Sequence, residues 1–400
     1  MDKELQAKSI LGVTLFVTLL SVSGIALPYP VLAPLFNEGT SPLTHFMSLP
    51  KEILFGVVIG IYPLGVIIGS SVIGAYSDRY GRKKVLTLTM LGCSLSYMLT
   101  AIAAISGSFV LFALSRLLTG LFEGNIAIAR AIAIDLHPTI NKTKSLSWIS
   151  AMGFGGYLIG PLAGGHLAPF GIDVLFLIAG LVCFIATLCC QLLLPNSTNQ
   201  AVEQEDKGSS LVLLKDSSLR QFFILYLFLM LGINIYYEFY PLWLVEKFAY
   251  NPAQIGWATV LITSCMIFSS TMLNSRIEKR MTTAQAGLIG MLLVTTALFL
   301  VPVTSQQSYW ITFALVGFGV GIYNGFLTSY ISTAYEHKAQ GQLMGMLVTI
   351  FCVGNLIAAG IGSVISLIQV SYSIWAAAFC IGAASLLFFR GHFKLSLWEK

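Results

Sequence analysis

Long apolar runs recur along the chain, separated by short stretches rich in Lys, Arg, Asp, Asn and Pro. A helix needs about 20 apolar residues to cross about 30 Å of hydrocarbon. Twelve runs meet that length and are named α1 to α12: roughly 9–36, 52–76, 84–106, 109–134, 146–168, 172–194, 220–245, 252–274, 283–303, 308–333, 341–367 and 370–390. The first run is too long for a cleaved signal peptide and is read as retained. The longest polar stretch, residues 196–219, is read as a linker, so the chain divides into 1–195, 196–219 and 220–400. "LVLLK" within the linker is expected to form a short interfacial helix. The fold class predicted is all-α membrane protein, with two six-helix bundles.

Composition supports this reading. Of the 400 residues, 56% are hydrophobic and 10% charged, against about 25% charged in soluble proteins. Lys and Arg set the orientation. With both termini cytoplasmic, all but four of the 22 lie in inner segments; Lys51 and Lys247 are outer, and Arg116 and Arg130 lie within a span. The net charge of +5 is therefore an orientation signal and implies no nucleic-acid partner. All seven cysteines fall within apolar runs, which argues against a disulfide framework.

The halves look related. "GYLIGPLAGG" (156–165) matches "GNLIAAGIGS" (354–363), and "PYPVLAPLF" in α1 sits near the place of "FYPLWLVEKF" in α7. Two repeats suggest a substrate site near the midplane and alternating access by rocking. Gly56/Gly60 and Gly65/Gly69 in α2 make GxxxG pairs that let helices approach, although glycine is also ordinary filler in such helices.

Polar residues inside the apolar runs are the candidate chemistry. In "RLLTGLFEGNIAIAR" (116–130), Arg116, Glu123 and Arg130 stand seven apart, so a continuous helix drifts only about 20° per step. Arg116, Gly120, Glu123, Ala127 and Arg130 then form one stripe. A charge at the membrane centre costs roughly 2.5–3.5 kcal/mol on insertion scales, so the stripe should face water or a polar partner. Burial favours the protonated form of Glu123 and the arginines favour its carboxylate, a balance suited to a proton carrier. The competing reading is a fixed ion pair with Arg116 or Arg130, and either arginine also suits an anionic substrate. In α7, Asn234 and Glu238 share a face, and Pro241 frees the carbonyl of Tyr237. Tyr236, Tyr237, Phe239, Tyr240 and Trp243 crowd the acid. They suit a flat or cationic substrate, or form an aromatic belt at the interface. Tyr62, Asn125, Tyr323, Asn324 and Asn355 are candidate cavity residues, each also explicable as a helix contact. No metal-ligand cluster and no phosphate-binding GxxxxGK[ST] loop is visible, so no cofactor and no direct ATP coupling is expected.

"GAYSDRYGRKKVL" (74–86) supplies the most specific motif: Gly74, Asp78, Arg79, Gly81, Arg82 and Lys83 in order. Asp78 is expected to end α2 and Gly81 to permit a tight turn. This loop resembles the signature loop of the major facilitator superfamily, and the resemblance covers the whole chain. It implies a latch in which Asp78 faces the start of α11 near Gly341, and Arg82 pairs with Asp135. "RLLTG" (116–120) resembles the family's Arg-xxx-Gly element. "LNSRIEKRM" (273–281) lacks the Asp and Gly, so the latch should be one-sided. Gly156, Gly160, Pro161, Gly164 and Gly165 resemble the motif of the superfamily's proton-coupled antiporters, with Pro161 expected to kink α5; a bend without bearing on direction explains it equally. "LLSVSGIALPYPVLAPL" (19–35) is similar to the first helix of tetracycline and multidrug exporters, except that Ser21 stands where those proteins tend to carry an acid. The resemblance thus implies a monomeric, inner-membrane, proton-driven exporter of a small organic molecule, with Glu123, Glu238 and Arg116 as coupling candidates. The rivals are an importer or facilitator of a metabolite or siderophore, and, more remotely, a sensor without turnover. No nucleophile–base set points to an enzyme.

Overall fold

The computed structural model describes residues 3–195, 210–335 and 340–393. All regular structure there is helical, and twelve helices are long and apolar enough to cross a membrane. They are α1 (Lys3–Ala26 continuing as Tyr29–Glu38), α2 (Lys51–Tyr80), α3 (Arg82–Ser106), α4 (Phe109–Phe122 and Asn125–Asp135), α5 (Lys142–Leu167) and α6 (Ile172–Leu193). Then follow α7 (Ser217–Phe248), α8 (Pro252–Phe268, prolonged through Ser269–Leu273 to Ile277), α9 (Thr283–Leu300), α10 (Tyr309–Ala334), α11 (Gln340–Ser366) and α12 (Val370–Phe388). The linker stretch "LVLLK" lies in one short 3-10 turn, Ser210–Lys215.

Two helices are interrupted. In α1, prolines 28 and 30 each remove a backbone donor, and the helix restarts at Tyr29. In α4 the break falls at Glu123–Gly124, where Glu123 adopts φ −84°, ψ 79°. The expected single stripe from Arg116 to Arg130 is therefore corrected: heptad arithmetic requires an unbroken helix. Arg116 and Glu123 are buried, whereas Arg130 is exposed. By contrast, α5 runs through Pro161 and α7 through Pro241 without interruption. Asp78 does not end α2, which continues to Tyr80; Gly81 makes the turn at φ +94°, a conformation L side chains rarely adopt.

The chain folds as two compact units, residues 1–204 with 251–256, and 205–250 with 257–400. In the first unit, α2 and α4 cross on glycine. A Cβ on Gly65 would sit 3.0 Å from Gly120 Cα and clash with the Leu117 carbonyl, and one on Gly120 would clash with the Tyr62 carbonyl. Helix α5 lies against α1 in the same manner: Gly156 meets Val22, Gly160 meets the Ser23 carbonyl, and Gly164 meets Leu27. In the second unit, α11 lies against α7. Gly354 faces Met230 and Leu231, and Gly362 takes the Phe239 ring. The matched stretches 156–165 and 354–363 thus serve the same packing role, each against the first helix of its own unit.

Candidate functional site

The α4 break shapes the site in the first unit. Peptide groups released in a membrane span need partners, and those at 123–124 are buried. Short local bonds take them up: Glu123 N–H to Gly120 O at 3.0 Å, Gly124 N–H to Phe122 O at 3.1 Å, and Ala127 N–H to Gly124 O at 3.2 Å. Gly124 is required here because a Cβ would press into Ile73 of α2 at 2.6 Å. The break puts the Glu123 side chain between two half-helix ends. The second half, beginning at Asn125, presents the positive end of its dipole there.

The Glu123 carboxyl is 8% exposed. Ser21 Oγ donates to it at 2.5 Å from α1, and Cys93 Sγ lies 3.5 Å away on α3. Asn125 completes the cluster. Thr89 donates to its Oδ1 at 2.6 Å, and its Nδ2 faces Ser21 Oγ at 3.4 Å and Cys93 Sγ at 3.8 Å. These partners are neutral. No ion pair joins Glu123 to Arg116 or Arg130. The serine that replaces the expected α1 acid thus holds an acid supplied by α4. Thr89 and Cys93 carried no signal in the sequence, since one Thr and one Cys among apolar neighbours read as packing.

Arg116 occupies the neighbouring layer and is 4% exposed. Its guanidinium lies 4.8 Å from the Tyr62 ring centroid and 5.9 Å from that of Phe176. The α2–α4 glycine crossing explains the placement, because Tyr62 and Arg116 each precede the crossing by about one turn. Arg116 Nε and Nη1 are buried without a hydrogen-bond partner. Tyr97 Oη shares that condition, and its ring stacks on Phe176 at 6.2 Å.

In the second unit, α7 presents two faces. Asn234 donates to the Phe351 carbonyl at 3.3 Å and accepts from Asn355 Nδ2 at 3.2 Å. One turn further, Glu238 is 3% exposed and neither carboxyl oxygen has a partner. Most of the aromatic residues around this acid in sequence are buried in packing of their own. The Tyr236 and Tyr240 rings lie 5.2 Å apart, tilted by 31°, and set their edges against Phe313 of α10. Tyr240 also hydrogen-bonds Thr259 at 2.5 Å, and Tyr237 Oη reaches Met266 Sδ at 3.1 Å. Trp243, 1% exposed, packs against Phe248. Their burial comes from the 3.6-residue period, which turns residues 236, 240 and 243 away from the 234/238 face. Tyr323 is buried and Asn324 exposed.

At the signature loop, Arg82 Nε lies 3.3 Å from Asp135 Oδ2, and Nη1 donates to Ser77 Oγ at 3.1 Å. Gly341 lies in the first turn of α11; the Asp78 side chain, and with it that half of the expected latch, lies outside what the structure describes. All seven cysteines are free, and the described residues contain no group of three or more potential metal ligands.

Comparison with known proteins identifies the family. Over 348 residues the chain is 26% identical to tetracycline resistance protein class E of Escherichia coli, covering 84% of this chain and 82% of the relative. It is 27% identical over 391 residues to multidrug resistance protein 2 of Bacillus subtilis (strain 168), covering 92% of each. Among solved structures, a D-xylose–proton symporter superposes with TM-score 0.78 at 15% identity, covering 95% of this chain and 97% of that one. A human organic anion transporter gives 0.68 at 20% identity over 96% and 99%. The family model of the major facilitator superfamily matches residues 11–359. The twelve spans, the two units and this match together make the chain a multi-pass membrane transporter, not an enzyme, and a member of the major facilitator superfamily.

Proposed function

We propose that this transporter exports a small organic molecule in exchange for protons, and that Glu123 carries the proton. The supporting observation is the neutral hydrogen-bonding of a buried carboxyl. A glutamate locked to Arg116 would hold its charge throughout the cycle. One held by Ser21, Cys93 and Asn125 accepts or loses a proton without breaking an ion pair. The drug-resistance names of the relatives and the α5 glycines against α1 favour export. The Arg82–Asp135 pair is read as the described half of a cytoplasmic latch in a monomeric inner-membrane protein with both termini inside. Arg130, Asn324 and Asn355 remain proposed cavity residues, and Glu238 a second coupling candidate.

The test is substrate-induced proton movement in proteoliposomes, wild type against Glu123→Gln, across cationic drugs, tetracyclines and siderophores. The expected result is a compound that moves protons in wild type, while the variant binds it without moving them. Coupling that survives the substitution rejects Glu123 and turns attention to Glu238. Uptake of the compound down the proton gradient, rather than against it, makes the protein an importer.

A further inference from the structure

Arg116 is in excess of what a proton site needs. Its guanidinium is buried, yet Nε and Nη1 face no acceptor. Tyr97, 1% exposed, holds a third unpartnered donor against the same Phe176 ring. A buried cation left unpaired is costly, and a desolvated cation–π contact returns only part of that cost. Three unpaired buried donors are complementary to an anion that the chain does not supply.

The donor layer and the carboxyl layer are one helical turn apart on two helices. Along α1, Ser21 bonds Glu123, and a Cβ on Gly24 would lie 3.3 Å from Tyr97 Oη. Along α3, Cys93 touches Glu123, and Tyr97 follows four residues later. One turn is about 5.4 Å. Tyr29, Tyr62, Cys93, Tyr97, Arg116 and Cys183 are the titratable and charged groups around this pair of layers, and Glu123 is the carboxyl among them.

The pairing of both groups then selects the ligand, given Glu123 as the proton carrier. A simple anion would neutralise Arg116 and favour the proton on Glu123, so both would travel together and exchange would fail. A simple cation would displace the proton and leave Arg116 bare. We propose that the substrate is amphoteric: a carboxylate or enolate seats on Arg116 and Tyr97, and a protonated amine about one helical turn away takes the place of the proton on Glu123. One proton leaves Glu123 as each ammonium group arrives, and the carboxylate pairs Arg116, which is uncompensated before the substrate binds, so the two layers pass from one net positive charge to neutrality.

The probes are ciprofloxacin and 3-(aminomethyl)benzoate, each with its methyl ester (cation only) and its N-acetyl derivative (anion only). Binding to the purified full-length protein is followed by calorimetry, with proton release read in weak buffer. At least one zwitterion should bind ten-fold or more tighter than both its derivatives and release about one proton. Arg116→Gln should remove that preference, weakening the zwitterion to the level of its ester, while Arg116→Lys retains part of it. If an ester matches its zwitterion on wild-type protein, or no zwitterion binds, the amphoteric assignment is wrong, while proton release by the ester leaves the Glu123 reading standing. If the N-acetyl anion binds best and takes up a proton, exchange at Glu123 fails instead. The wild-type comparison decides the matter even where the Arg116 variants do not fold.

Discussion

Replacing Gly160 with alanine puts the α1–α5 contact under direct strain. The new Cβ would sit 2.5 Å from the Ser23 carbonyl, 3.0 Å from Ala26 Cβ and 3.2 Å from Leu27 N. Ordinary contact begins near 3.4 Å, so α1 must retreat by about 1 Å in an interior packed as densely as a crystal. Overpacking of this kind costs about 1–3 kcal/mol. Ser23 lies two residues from Ser21, whose bond to Glu123 is 2.5 Å long. A retreat of about 1 Å stretches that bond to its limit and sacrifices a further 1.5 kcal/mol or so, the lower range for a bond to a charged group. Alanine regains about 1 kcal/mol of helix propensity, leaving a net loss of about 2 kcal/mol or more. Gly153 on the same helix is the matched control, since a Cβ there meets nothing within 4 Å; Gly153→Ala should be neutral or slightly stabilising. The assay is thermal unfolding in detergent, followed by a thiol-reactive fluorogenic dye that reports exposure of the buried Cys93, Cys183 and Cys190. At about 2–4 °C per kcal/mol for a unit of this size, Gly160→Ala should melt at least 4 °C below Gly153→Ala and couple protons less efficiently. Equal melting temperatures and equal coupling would refute the claim that α5 fixes the seat of Ser21.

Other substitutions probe the remaining contacts. Asn125→Leu removes the partner of Thr89 and leaves a buried hydroxyl to its own helix, so stability should fall by about 1–3 kcal/mol; unchanged melting would show that the cluster does not hold the α4 break. Glu238→Gln exchanges an unpartnered buried carboxyl for a neutral isostere, so it should melt at or above wild type, and a fall of several degrees would reveal an ion pair formed in another state. Asp135→Asn breaks a partly exposed ion pair and should cost under about 1 kcal/mol. Any transport defect it causes is therefore expected without a matching loss of stability, and a large drop in melting temperature would make the pair structural.

Twelve spans were legible because each helix must satisfy its own backbone inside hydrocarbon, which leaves a long apolar run as its mark. The seat of Arg82 against Asp135 was legible through the resemblance alone. The interruption of α4 was harder to read. Seven-residue spacing suggested one stripe, yet Gly124 and Asn125 directly after Glu123 were the local sign of a stop and a restart. The bond from Ser21 to Glu123 joins residues 102 apart in sequence, and nothing local announces such a pairing. The aromatic residues of α7 lie close to Glu238 in sequence, but helical rotation turns residues 236, 240 and 243 away from its face, which residue spacing alone does not weigh against their crowding.

The gap in α4 also bears on how this site evolves. Because residues 123–124 leave the helix, the acid reaches Ser21 on α1, the position at which the resemblance to tetracycline and multidrug exporters implies an acid. An acid can then migrate from one helix to another while its spatial position persists. Column-by-column comparison would score such a migration as the loss of an essential residue. A reciprocal exchange, Ser21→Asp with Glu123→Ser, should accordingly restore coupling that Glu123→Ser alone abolishes, so what is inherited here is a location in the bundle and not a residue in the alignment.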